Sequence, residues 1–167
     1  HVEGYLVQNH KLIEKALKLA KKQSVKTSLD LASYNVVEEN IEFLKLLVPG
    51  YVDIIFANED EAKAFTGKDP EQALAELSEM TEIAVVKTGE KGSLIKKGEE
   101  FYKIGIIDAD CVDTTGAGDL YAAGFLYGLI KEFTLNKSGE IGALLSGKVI
   151  ENIGAKINKN TWDEIKK

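Results

Sequence analysis

Residues 110–129 read DCVDTTGAGDLYAAGFLYGL. Gly116, Ala117 and Gly118 stand between the pair Thr114-Thr115 and the carboxylate of Asp119, and an apolar run begins at once. Small residues let backbone N–H groups approach a ligand closely. The first N–H groups of a helix lack an internal partner, and the helix dipole adds its positive end to them. A loop of this kind opening a helix is an anion site, worth roughly 0.3–1 kcal/mol per charge when exposed. Asp119 would repel a phosphate there unless a neutral or cationic group lay between them. A substrate hydroxyl meets that condition: Asp119 would take its proton while the N–H groups held the charge of a phosphoryl group in transfer. A plainer alternative is that Thr114, Thr115 or Asp119 caps the helix and the glycines only make a turn. The stretch is neither a Walker A loop nor a dinucleotide fingerprint, since Gly-Lys-Ser/Thr and Gly-x-Gly-x-x-Gly are both missing.

The elements that must position this loop alternate. EGYLV reads as a strand, HKLIEKALKLAKKQ as a helix with Leu12, Ile13, Ala16, Leu17 and Ala20 on one face, and VKTSLDLA as a second strand. Asn35 is expected to cap one helix through VVEENIEFLKLLV, closed by Pro49-Gly50. VDIIFA is a buried strand by its continuous apolar run; Asn58 caps the helix EDEAKAFTG, with Gly67 as its stop. Asp69-Pro70 starts another helix, EIAVVKT is a strand, and Gly98 turns a hairpin at the sheet edge. Two helical patterns follow the Gly-rich loop, and Asn160-Thr161 would cap a last turn. This order predicts an α/β fold, a doubly wound, mainly parallel Rossmann-like sheet with helices on both faces. Ligands of such sheets bind at loops after the carboxyl ends of strands. Three loops qualify: Asn58–Glu61, Thr88-Gly89 and Asp113–Asp119.

Composition narrows the class. Hydrophobic residues make up 44% and charged residues 29% of 167, ordinary for a globular domain. The net charge of −6 leaves no basic footprint for nucleic acid. No apolar run approaches the length of a membrane span. Cys111 is the only cysteine, so no internal disulfide forms and a reducing, cytoplasmic setting fits. Cys111 is expected to be a small buried residue, His10 a helix-start residue and His1 a frayed end; no Cys/His spacing supports a metal site. DADCVD lacks the spacing and glycine of a calcium loop. The chain opens on His1 within a strand pattern, which reads as a piece of a longer protein.

VDTTGAGDLYAAGFLYGL resembles the C-terminal signature of the ribokinase family, the PfkB-type carbohydrate and nucleoside kinases. ANEDEAKAFTG resembles that family's Asn-x-x-Glu stretch, VVKTGEKGSLI its strand, turn and following strand, and LLSGKVIENIGA its nucleotide-side helix. The matches come in family order over nearly the whole chain, while the family's N-terminal half and β-sheet lid have no counterpart. The resemblance implies that residues 1–167 are the C-terminal nucleotide-binding and catalytic part of a ribokinase-like domain. It implies ATP-dependent phosphoryl transfer to a hydroxyl of a small sugar, with a nucleoside such as adenosine as the alternative acceptor. A non-catalytic nucleotide-binding or assembly module is the alternative of another class. Asp119 looks like the catalytic base and Gly116, Ala117 and Gly118 like the anion hole. Asn58 and Glu61, on an exposed first helical turn, look like the pair that organises Mg²⁺ through water near the phosphates. Their plainer reading is an N-cap plus an ordinary first-turn glutamate. Thr88 and Gly89 look like nucleotide contacts, as do Asn58, Gly147 and Asn152, the last two on the helix bordering the adenine. Asp113 and the Thr115 carbonyl resemble a monovalent-cation site for K⁺ found in many members. The lid commonly dimerises in the family, so a homodimer is an expectation for the full-length protein.

Overall fold

The computed structural model describes residues 1–165. Six strands, β1 Val2–Glu3, β2 Ser28–Asp30, β3 Ile54–Asn58, β4 Ile83–Lys87, β5 Ser93–Lys97 and β6 Glu100–Ile104, form one sheet in the order β1-β2-β3-β4-β5-β6. β1 to β4 pair in parallel, with Leu29 opposite Ile55, Asp30 opposite Phe56 and Asn58 opposite Lys87. The two residues between β5 and β6 are too few for a parallel crossover, so the sheet is mixed, with the hairpin at its edge. Eight α-helices accompany it among the described residues: α1 His10–Lys22, α2 Tyr34–Glu39, α3 Ile41–Tyr51, α4 Glu59–Thr66, α5 Pro70–Met80, α6 Ala117–Ile130, α7 Leu135–Ile150 and α8 Lys159–Ile165. The α/β class and the parallel βα order read from the sequence are therefore present.

The chain divides into two compact units, His1–Gly89 with Leu94–Tyr102, and Glu90–Ser93 with the residues from Lys103 onward. In the first, Leu29, Ile55, Ala57, Ala84 and Val86 share one sheet face because strand side chains alternate. They pack with Ile13 and Leu17 of α1, Leu44, Leu47 and Val48 of α3, and Leu74 and Leu77 of α5. The opposite face carries Asp30, Asn58 and Lys87 at the carboxyl ends of three adjacent strands. In the second unit, α6 and α7 lie backbone to backbone. A Cβ at Gly124 would come 2.8 Å from the Ile141 carbonyl, and one at Gly128 2.5 Å from Ser138 Oγ. The small residues scattered through both helices are what this approach requires.

Several boundaries differ from the sequence reading. EGYLV is not a strand: β1 stops at Glu3, and Gly4–Gln8 forms a 3-10 helix. The main chain at Gly4 crosses the end of β2 so closely that a Cβ would sit 2.5 Å from the Asp30 carbonyl. The helix expected from Asn35 begins at Tyr34 and breaks at Asn40, whose side chain turns back to the Val36 carbonyl at 2.9 Å. Pro49-Gly50 does not close α3 but lies inside its last turn, because Val48 and Tyr51 are drawn into the core. On α1 the buried face narrows to Ile13 and Leu17, with Leu12 and Ala16 exposed. The cap of α8 is Asn158, which accepts the Thr161 N–H at 3.0 Å, rather than Asn160-Thr161. His1 is not a frayed end, since its ring meets Ser28 Oγ at 2.9 Å. His10 does start α1, stacked on Phe43 at 3.9 Å. Cys111 is exposed, not buried, because it lies in the coil between β6 and α6.

Candidate active site

The start of α6 is built from backbone. Gly116 is its N-cap with φ of 82°, and no side chain caps the helix. That conformation favours glycine, and a Cβ there would also approach Ala155 Cβ to 2.6 Å. Neither Thr114, Thr115 nor Asp119 performs the capping role that the plainer alternative assigned to them. The Ala117 N–H turns back on the Thr114 carbonyl at 3.1 Å, and the helix ladder opens with Leu120 N–H on the Gly116 carbonyl at 2.9 Å. Among the described residues no protein acceptor takes the N–H groups of Gly116 and Gly118. Of the three residues read as an anion hole, then, Gly116 and Gly118 keep a donor to offer and Ala117 does not. Asp119 stands exposed in the first helical turn with no hydrogen-bond partner among the described residues.

Asp113 fixes the loop in front of this helix. Its Oδ1 accepts the Thr115 N–H at 2.9 Å and the Thr115 hydroxyl at 2.7 Å, and its Oδ2 accepts the Gly154 N–H at 2.8 Å. These donors, Gly154 first and then Thr115, hold the carboxyl below the usual carboxylate range. The N–H groups of Val112 and Asp113 both reach the Ile150 carbonyl that ends α7. On α6 itself, Tyr121 shares a 2.6 Å hydrogen bond with Ser93, and burial pushes its phenol up to about 12. Gly147 is buried in α7, where a Cβ would meet the Ile107 side chain at 2.3 Å, a packing reason for the glycine. Asn152 falls beyond the end of α7, not on it, and folds back onto the Lys148 carbonyl at 3.1 Å.

In the first unit, Asn58 and Glu61 form a full capping box. Asn58 Oδ1 accepts the Glu61 N–H at 2.8 Å, while Glu61 accepts the Asn58 N–H and Nδ2, both at 2.7 Å. Glu61 is not an ordinary exposed first-turn residue: it is 3% exposed. Burial raises its pKa above the usual carboxylate value, against the opposing pull of the Asn58 N–H and Lys87. Each Glu61 oxygen keeps a lone pair beyond the bonds to Asn58. A buried carboxylate with lone pairs to spare suits a hard cation held through water. Among the described residues no three His, Cys, Asp or Glu side chains form a metal cluster. Thr88 is buried at the end of β4, and Gly89 follows at φ of 54° with open space where a Cβ would be.

Two residues at these strand ends were not singled out in the sequence. The Lys87 ammonium donates to Asp30 Oδ2 at 2.7 Å, with side-chain exposures of 16% and 7%. A charged residue closing an apolar strand, as in IAVVK, is the signal that could have found them.

The arrangement is that of an α/β protein with an oxygen-rich strand-end cluster and, separately, a helix N-terminus carrying a free carboxylate. The family model for pfkB family carbohydrate kinase matches residues 1–162, and the chain belongs to that family. It is 37% identical over 127 residues to an ATP-dependent 6-phosphofructokinase of Thermoanaerobacterium thermosaccharolyticum, covering 75% of this chain and 39% of that protein. A crystal structure of a probable sugar kinase from Rhizobium etli superposes with a TM-score of 0.90 at 36% identity, covering 98% of this chain and 52% of the other. An adenosine kinase structure from Sinorhizobium meliloti gives 0.85 at 38% identity, covering 92% and 49%. The chain thus spans about half the length of these relatives. Among the described residues no helix is long and apolar enough to cross a membrane.

Proposed function

We propose that residues 1–167 are the nucleotide-binding and catalytic part of an ATP-dependent sugar kinase. The observation that carries this reading is the uncapped start of α6, where glycine N–H groups and the free Asp119 carboxylate share one helical turn. A side chain with no structural duty at an anion-binding helix terminus is what a general base requires. It also weighs against a non-catalytic module, which has no use for the base. Asp119 would accept the proton of the acceptor hydroxyl, and the Gly116 and Gly118 N–H groups would hold the transferring phosphoryl oxygens. Asn58 and Glu61 would hold Mg²⁺ through water, and the ion would neutralise charge on the phosphates. Thr88 and Gly89 would line the nucleotide. Asp113 spends three hydrogen bonds inside the protein and leaves one Oδ2 lone pair and the Thr115 carbonyl for a monovalent cation. K⁺ at that position would need further ligands.

The acceptor separates sugar from nucleoside kinase, and similarity to proteins named for both classes leaves each to be assayed. The full-length protein, given Mg·ATP with ribose, fructose-type sugars and nucleosides, with and without K⁺, should release ADP only when a sugar is present. Release with nucleosides alone would move the reading to nucleoside kinase. Binding of ATP with no acceptor-dependent release would leave the non-catalytic module.

A further inference from the structure

Three adjacent parallel strands, β2, β3 and β4, end on polar side chains of one sheet face: Asp30, Asn58 and Lys87. Asp30 is held at both oxygens. Oδ1 accepts the Ala32 N–H at 3.1 Å, which fixes a non-glycine residue at φ of 63°, and Oδ2 accepts Lys87 at 2.7 Å. Glu61 is close enough for both charges to act on it. Two carboxylates therefore border this strand-end surface, and Lys87 is the cation whose charge acts on both. Its ammonium carries three N–H donors, and among the described residues only Asp30 accepts one. The side chain is mostly buried and its position is fixed by the ion pair. Lys87 also immediately precedes the Thr88-Gly89 loop.

We propose that Lys87, oriented by Asp30, binds the phosphate chain of the nucleotide. This rests on the phosphoryl-transfer reading above. A polyphosphate placed beside Asp30 and Glu61 meets two like charges. The metal offsets part of that repulsion, and a lysine with spare donors at the same strand ends offsets more. Asp30 keeps the ammonium from being a mobile, fully hydrated charge, so binding a phosphoryl oxygen orders little that is not already ordered. Asp30 acts through Lys87 and is a positioning residue.

The test is calorimetric binding of Mg·ATP, Mg·ADP and adenosine to the full-length protein. Lys87→Met should weaken ATP and ADP roughly 10- to 100-fold, the range for a hydrogen bond to a charged group. Adenosine, which has no phosphate, should be affected by less than about threefold. Lys87→Arg should recover most of the loss. Because Lys87→Met leaves Asp30 buried without its partner, Asp30→Asn combined with Lys87→Met is the second variant, free of an unpaired charge. It should show the same selective loss while its unfolding midpoint stays near wild type. If the wild type binds ATP and either folded variant binds it equally well, Lys87 is only an ion-pair partner and the proposal falls. Equal losses for ATP and adenosine would overturn it as well, as the mark of a purely structural role. A wild type that binds no nucleotide would overturn both this proposal and the reading beneath it.

Discussion

The cap of α4 and the cap of α6 solve the same problem in opposite ways. At α4 the orphan N–H groups are satisfied by side chains, since Asn58 and Glu61 bond each other's backbone and close the helix end. At α6 a left-handed glycine sets the geometry, and the Gly118 N–H and the Asp119 carboxylate are left unused by the fold. The residues read as metal-organising thus also hold their helix together, whereas the residue read as the base holds nothing. Function and stability should fail together at the Asn58–Glu61 capping box and separately at Asp119.

The largest loss of stability is expected at the capping box. Glu61→Ala removes a buried side chain together with both bonds it accepts from Asn58, and should cost about 2–3 kcal/mol. Its unfolding midpoint should fall clearly below that of Asp119→Ala, which should remain within about 0.5 kcal/mol of wild type. Equal midpoints would erase the distinction between the two caps. A smaller loss, about 1–2 kcal/mol, is expected for Gly116→Ala, from the left-handed backbone and the contact with Ala155. Reduced turnover should accompany it, because the same distortion moves the Gly118 N–H. Full turnover in that variant would argue that the loop geometry is not functional.

The smallest effect is in pH dependence, where the two regions carry opposite signs. Glu61 has a raised pKa in the folded protein, so its contribution is fully present below the ordinary carboxylate range and is lost as pH rises through the raised value. Asp113 has a lowered pKa, so its contribution is present above that range and is lost as pH falls through the lowered value. Asp113 is more open to solvent, which screens its effect. With chelator present, unfolding midpoints between about pH 3 and 7 should show the wild type's advantage over Glu61→Gln shrinking as pH rises. Its advantage over Asp113→Asn should grow over the same range. Parallel curves would mean that neither carboxylate feels its surroundings as described.

The sequence made the parallel βα order legible because strand and helix periods differ and because Asn58, Gly67 and Pro70 mark their boundaries. It made Asp119 and the Gly-rich loop legible because residue type and spacing there are local. It could not show the burial of Glu61, the end of β1 at Gly4 or the break at Asn40, since each depends on what packs alongside. The Asp30–Lys87 pair, 57 residues apart, was beyond local pattern for the same reason. Cys111 went astray because a lone small residue carries no periodic signal in a coil.

The account rests most heavily on Asp119 doing chemistry without doing structural work. The direct measurement is turnover, ATP affinity and unfolding midpoint on one preparation of the full-length Asp119→Asn variant. Turnover should fall roughly 10²- to 10⁴-fold, the range for a positioned general base, while ATP affinity and midpoint stay at wild-type values. Turnover near wild type, or a fall matched by loss of stability, would contradict it.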